Sequence, residues 1–516
     1  MKVPLTIRDF LDRAVTVYGE RVAVVDEPDQ PAPSWGEVTF VDLAARARAQ
    51  AVALDRLGVG QWERVAMVSQ NAARLLTSFW GVGGFGRVFV PINFRLHPDE
   101  VSYIVEHSGA SVLIVDPELE GELMDVDCKH RFVIGAESDA ELFAMGTSPG
   151  AGPEEPEPWE PDEDATATIN YTSGTTARPK GVQMTHRSLW LNATTFGWQA
   201  GINDRDVYLH TLPMFHCNGW GMPFATCGMG VSQVVIRKID GNEILRRVDH
   251  HGITVMCAAP AVVAAILDAA VTWDGEIPGA GRTRIIVAGA APPTRTIERV
   301  ESELGWEFLQ IYGLTETAPL LTMSRGRAEW DELTVAERAT KLRRAGAPAL
   351  GIRVDVDVQG EVLARGNHVL EGYWDQPEAT ADAIVDGWFH TGDGGAIDED
   401  GYLSILDRKK DVIITGGENV SSIEVEDAIF SHPAVAEVAV IGAPHEKWGE
   451  TVVALVVVVP DAEVTEQELR DHCRTRLAGF KVPSRLEFRD ELSRTATGKL
   501  QKFKLRAPYW QDGGHP

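Results

Sequence analysis

Short β-branched runs recur along this chain between helix-like stretches, and that alternation restricts the fold more than any other feature. RVAMVSQ begins at Arg64, SVLIVD at Ser111, VSQVVIRK at Val231, ITVMCAAP at Ile253 and RIIVAGA at Arg284. Between them lie Ala/Leu/Arg-rich segments such as Phe40 to Leu57, closed by Gly58. Buried strands alternating with helices predict α/β layers with substantially parallel sheets. At 516 residues the chain exceeds the size at which one hydrophobic core stops growing, so at least two domains are expected.

Two places interrupt the pattern. Thr147 to Thr166 reads TSPGAGPEEPEPWEPDEDAT, a Pro-, Gly- and acid-rich stretch that buries little and is expected to be an exposed connection. Near residue 407, DRKKD precedes a compact unit in which Ser421 and Glu424 have the spacing of a capping box, with Pro433 ending the helix. Thr465 and Glu468 repeat the pattern, with Gly479 as the expected stop, and VAEVAVIGAP and TVVALVVVVP supply strands. The domains expected are therefore 1–406 and a small α+β unit over 412–516, divided at 407–411.

The formal net charge of −28 argues against a broad basic face for nucleic acid or anionic membrane. A site for an anion must then be built locally, from backbone N–H groups, a metal and a few basic side chains. Five cysteines at 128, 217, 227, 257 and 473 contain no CxxC pair, which predicts reduced thiols rather than disulfides or zinc. The longest apolar run, Val452 to Val459, falls far short of the ~20 residues that span a bilayer. MKVPLTIRDFLDRA has no signal-peptide core, so a soluble cytoplasmic protein is expected.

Tyr171 to Val182 reads YTSGTTARPKGV, a Thr/Ser/Gly-rich loop with one lysine that can offer hydroxyls and N–H groups to a phosphate chain. It lacks the spacing of a Walker A loop. It resembles the phosphate-loop signature of the adenylate-forming superfamily, which includes acyl-CoA synthetases, coumarate-CoA ligases, luciferase and adenylation domains. Further signatures follow in the family's order: LPMFHCNGW, VAGAAPP, QIYGLTETAP, GEVLARGNHVLEGYW, GWFHTGDGGAIDEDGYL, DRKKDVIITGGENVSSIEVE and SRTATGKLQK. They run from about residue 170 to 502. The resemblance, closest to fatty acyl-CoA synthetases, implies a large N-terminal domain of stacked α/β sheets with a small β-barrel part, plus a small mobile α+β domain.

It also implies roles for particular residues. Thr172, Ser173, Gly174, Thr175, Thr176 and Lys180 would hold the ATP phosphates. Thr175 and Glu316 would bind Mg²⁺, with Thr315 reaching the α-phosphate. Gly289, Ala290 and Ala291 would line the adenine with Gln310, Ile311, Tyr312 and Gly313, and Tyr312 would stack on the base. Asp393 would hold the ribose and Arg408 would reach the nucleotide from the hinge. Lys499 would be the catalytic lysine that bridges the acid carboxylate and the α-phosphate. Lys410 would be the hinge residue, and Gly416 and Gly417 would line the coenzyme A channel. His216 would lie near the reacting carboxylate.

For the acyl pocket the resemblance implies Met214, Cys217, Trp220, Gly289 and Gly313, with Trp220 gating a tunnel that Gly313 leaves open. The expected reaction joins a carboxylic acid to coenzyme A through an acyl-adenylate, with a medium- or long-chain fatty or other bulky hydrophobic acid preferred. A carrier protein as acceptor, a luciferase-like oxygenase, a silent adenylate-binding scaffold and a homodimer stay open. Ala177 and Ser493 depart from the family's usual glycine and proline.

Overall fold

The computed structural model describes all residues except 145–153, 173–177, 409–410, 416–417, 446, 495–499 and 511–516, together with all but the side chain of Arg408. Among the described residues the strands form four sheets, of nine, six, five and five strands. In the nine-stranded sheet, Val22–Val25, Ser232–Val235, Val207–His210, Val255–Ala258, Arg284–Val287 and Glu307–Gly313 run parallel in that spatial order. Antiparallel strands close both edges.

The six-stranded sheet is parallel through His130–Val133, Ala110–Val115, Arg64–Val68, Val88–Ile92 and Thr166–Thr172, then turns back along Lys180–Thr185. The five runs singled out in the sequence thus fall into two sheets, and the expected parallel pairing is observed.

Helices fill the space between the two large sheets. Along Ala73–Val82 every residue is buried, as expected of a helix with no water-facing side. Its one charge, Arg74, pairs with Asp139 at 2.5 Å and stacks over Trp35. An unpaired guanidinium at that depth would be strongly destabilising.

The third sheet, antiparallel, comprises Ile352–Val356, Glu361–Gly366, Ile384–Val385, Trp388–Ile397 and Leu403–Arg408. The fourth lies in the C-terminal part and has its own core, including Ile413, Val425, Ile429, Val440 and Leu469. The Ser422–Phe430 helix begins where expected, with the Ser421 side chain accepting from the Glu424 N–H, and stops ahead of Pro433. Thr465 and Glu468 form both halves of a capping box on Glu466–Arg474. That helix ends well before Gly479, because the N–H groups of Thr475, Arg476 and Leu477 fold back onto the His472 and Cys473 carbonyls. Gly479 instead opens a short 3-10 turn.

Candidate active site

Met214 to Trp220, Gly289 to Ala291 and Tyr312 to Glu316 lie at or just beyond the carboxyl ends of parallel strands, the edge where open α/β sheets place ligands. Val287 pairs with Gln310, so the turn after Arg284–Val287 and the end of Glu307–Gly313 lie side by side. The segment from Leu212 to Trp220 follows Val207–His210, which is separated from Arg284–Val287 by the strand Val255–Ala258.

That segment contains an uncommon backbone. Cys217, Asn218, Gly219 and Trp220 have φ of 39°, 44°, 55° and 56°, a left-handed turn between His216 and Gly221. L-residues other than glycine pay about 1–2 kcal/mol each for this conformation, least for Asn. Buried asparagines hold it. Asn218 donates to Thr168 Oγ1 at 2.7 Å, and Asn170 donates to Asn218 Oδ1 and to the Phe215 carbonyl at 3.1 and 3.0 Å. Asn71 accepts from the Met214 N–H at 2.8 Å and donates to the His210 and Leu212 carbonyls. Asn192 bridges the Trp220 carbonyl and the Leu320 N–H. Met214, Cys217 and Trp220 are consequently locked, at 0%, 3% and 4% exposure, while His216 is half-buried.

The opposite wall is the 3-10 turn Thr315–Thr317. Thr317, fully buried, fixes it by accepting from the Leu314 N–H and donating to the Pro319 carbonyl at 2.6 Å. Thr315 and Glu316 are thereby left half-buried at the site, and the Cys217 thiol lies 4.0 Å from the Thr315 carbonyl. Glu316 Oε1 accepts from the Tyr373 hydroxyl at 2.9 Å, and the Leu370 N–H donates to the Glu316 carbonyl at 2.7 Å. The Tyr373 ring lies 4.7 Å from Lys180 Nζ. Burial and the Glu316 carboxylate push the Tyr373 hydroxyl far above its usual range, so it stays a donor. Tyr373 stands within GNHVLEGYW, yet it was not picked out from the sequence, nor were Asn71, Asn170, Asn192 and Asn218. A tyrosine three residues after the buried Leu370 reads as core, and only its partner 57 residues away reveals its role.

Gly313 has a reason other than opening a tunnel. A Cβ there would stand 1.5 Å from the Pro319 carbonyl oxygen, so the glycine is required by the close approach of two backbones. Its missing side chain is thus accounted for by backbone packing against Pro319, independently of acid size.

On the nucleotide side, Tyr312 donates to Asp393 Oδ2 at 2.8 Å, joining the expected base-stacking and ribose residues. Asp393 is itself buried, on Trp388–Ile397, and its backbone pairs with that of Arg408. With its amide turned to satisfy its partners, Gln310 donates to the Leu342 and Arg343 carbonyls at 3.2 and 3.3 Å, and Ile311 is core. Gly289 takes φ of 95°, which suits glycine alone at low cost, with Ala290 exposed and Ala291 half-buried. Thr172 ends its strand opposite Lys180. Ser173, Gly174, Thr175, Thr176, Ala177, Lys410, Gly416, Gly417 and Lys499 lie outside the described residues.

The arrangement offers hard oxygen donors in Glu316, Thr315 and Thr172, the chemistry a Mg²⁺ ion takes. A lysine lies one ring away and an apolar wall faces it.

Comparison with known proteins shows which family the chain resembles along its length. The model of the AMP-binding enzyme family matches residues 11–374, and that of the AMP-binding enzyme C-terminal domain matches 424–499. The 4-hydroxybutyrate–CoA ligase 2 of Metallosphaera sedula is 38% identical over 96% of this chain and 93% of its own. Among solved structures, o-succinylbenzoate CoA synthetase from Bacillus subtilis, in complex with its acyl-adenylate intermediate, superposes with a TM-score of 0.81 at 29% identity, covering 98% of each chain. A Mycobacterium tuberculosis fatty acyl CoA synthetase does so at 0.71 and 33% identity, again over 98% of each. With both family models matched in order and a relative this similar along nearly its whole length, the chain belongs to the AMP-binding enzyme family.

Proposed function

We propose that this protein is an AMP-forming acyl-CoA ligase that takes a compact, bulky hydrophobic acid. The observation that carries this is the pairing of two walls: Thr315–Glu316, oriented by Tyr373 beside Lys180, faces the apolar turn of Met214, Cys217 and Trp220. In the first step a carboxylate oxygen attacks the α-phosphorus of ATP and the bond to pyrophosphate breaks. In the second the coenzyme A sulfur attacks the acyl carbon, the bond to AMP breaks, and the thiol proton is lost.

Glu316, with Thr175 from the phosphate loop, would hold Mg²⁺, which neutralises charge on the phosphates. Lys180 and Thr172 bind the phosphates, Tyr312 and Asp393 orient the nucleoside, and Thr315 reaches the α-phosphate. Lys499 supplies positive charge where it redistributes at phosphorus. His216 borders the reacting carboxylate. Residues 407–411 serve as the hinge of a lid over 412–516, with Lys410 at its pivot and Gly416–Gly417 along the thiol channel. Coenzyme A, rather than a carrier protein, is the acceptor. No helix among the described residues is long and apolar enough to cross a membrane.

The preference for a compact acid rests on burial. Trp220 is packed, so swinging its side chain aside as a gate would unpack buried apolar surface. A long linear fatty acid is the second reading, favoured by the 33% identity to the fatty acyl CoA synthetase. The test is pyrophosphate release over short, branched, aryl and long-chain acids, with and without coenzyme A. Activity on branched or aryl acids above that on long chains, with AMP formation dependent on coenzyme A, is expected. Absence of pyrophosphate release with every acid would refute acid activation; a maximum at long chains would refute the compact pocket.

A further inference from the structure

We propose that Asp427 is a positioning residue through which the C-terminal unit sets the affinity of the adenine turn for its nucleotide; this rests on the nucleotide site of the proposed function. Asp427 lies on the Ser422–Phe430 helix, yet its carboxylate serves the N-terminal part of the chain. Oδ1 accepts from the Thr294 N–H at 2.9 Å, and Oδ2 accepts from the Thr294 hydroxyl at 3.2 Å and from Arg343 Nη1 at 2.5 Å. A neighbouring contact runs the same way, from Arg295 Nη1 to the His432 carbonyl at 3.1 Å.

Both partners of Asp427 adjoin the nucleotide residues. Thr294 lies three residues beyond Gly289–Ala291, the turn expected against adenine, with Pro292 and Pro293 between. Arg343 offers its carbonyl to the Gln310 amide, on the strand that leads to Tyr312. One carboxylate therefore ties down the far end of the turn and the support of the adjoining strand. The rest of its helix is fixed by other means. The Ser421 hydroxyl donates to the Leu406 carbonyl, the Ser422 N–H donates to Asp407 at 3.0 Å, and Glu426 holds Lys502 at 2.8 Å. Removing Asp427 should thus release the turn without unseating the helix.

A residue that only stabilises the fold would not distinguish nucleotide from acid. The experiment titrates AMP into the full-length protein by calorimetry, for wild type, Asp427→Ala, Asp427→Asn and Arg343→Ala. Asp427→Ala should weaken AMP by about five- to tenfold, the lower range of coupling between linked sites. Asp427→Asn, whose amide oxygen still accepts from the Thr294 N–H, should recover at least half of that loss on a logarithmic scale. Arg343→Ala should fall between the two, and the KM for the acid should not move. Unchanged AMP affinity in Asp427→Ala overturns the proposal, as does an equal rise in the acid KM or an Asp427→Asn no better than Ala. Failure of wild type to bind AMP would instead bring down the nucleotide site itself, which separates the two conclusions.

Discussion

Tyr373→Phe removes a single oxygen from the centre of the site and leaves the rest of the side chain in place. The ring remains, so its contact with Lys180 Nζ at 4.7 Å is kept. The hydrogen bond from the hydroxyl to Glu316 Oε1, 2.9 Å long, is lost. Hydrogen bonds to charged groups contribute about 1.5–3 kcal/mol. Tyr373 is 8% exposed, so water replaces the hydroxyl poorly, although the half-buried Glu316 keeps some access to solvent. A cost near the lower end, about 1.5–2 kcal/mol, corresponds to roughly 10–30-fold in kcat/KM. Because Glu316 would be less firmly oriented, the Mg²⁺ concentration for half-maximal rate should rise as well. The assay is acid-dependent pyrophosphate exchange at several Mg²⁺ concentrations, with the melting temperature measured alongside. A variant with wild-type kcat/KM and wild-type Mg²⁺ dependence would show that Glu316 needs no support from Tyr373.

Three other outcomes are expected. Lys499→Ala should slow adenylation by about 10²–10³-fold, the usual loss of one preorganised charge, and spare thioester formation from supplied acyl-adenylate; equal losses in both steps would contradict its assigned role. Gly313→Ala should cost more than about 3 kcal/mol or yield no folded protein, since its Cβ would meet the Pro319 carbonyl at 1.5 Å; a wild-type melting temperature would refute this. His186, His210 and His368 are each held by burial to a pKa of about 4. The unfolded chain, with histidines near 6.5, therefore binds more protons as pH falls below that value, and stability present above it is lost. The loss is about 1.4 kcal/mol per histidine by pH 5.5. Urea midpoints compared at pH 7.5 and 5.5 should shift accordingly, and a flat profile would mean these rings are solvated.

What the sequence reveals about this protein depends on the range of the interaction. The runs at Arg64, Ser111, Val231, Ile253 and Arg284 announce buried parallel strands because a strand covered on both faces is apolar throughout. Their division between two sheets is invisible, since local pattern does not record which neighbour a strand will meet. The cap at Thr465 is legible because both of its halves lie within one turn. The end of the same helix is not, because backbone N–H groups closed it before any glycine was reached. At the site, the motifs locate Glu316, Tyr312 and Asp393 but not what holds them. Tyr373 reaches Glu316 across 57 residues, and Asn170 reaches Asn218 across 48. Gly313 is plain as a glycine, while the carbonyl that demands it appears only once the strands pair.

The left-handed turn of Cys217 to Trp220 bears on how substrate choice can be altered. Its backbone is gripped by asparagine amides from a strand, through Asn170, and from a helix, through Asn192, so the turn has little freedom to slide toward a smaller or larger acid. In a saturation library of this protein, position 218 should tolerate almost nothing and position 219 little besides glycine and asparagine, whatever acid is used for selection. Variants with new acid preferences should accumulate at Met214, Cys217 and Trp220, where the side chain can change while the backbone stays. Diversification of this pocket would then proceed by exchanging the furniture of a room whose walls do not move.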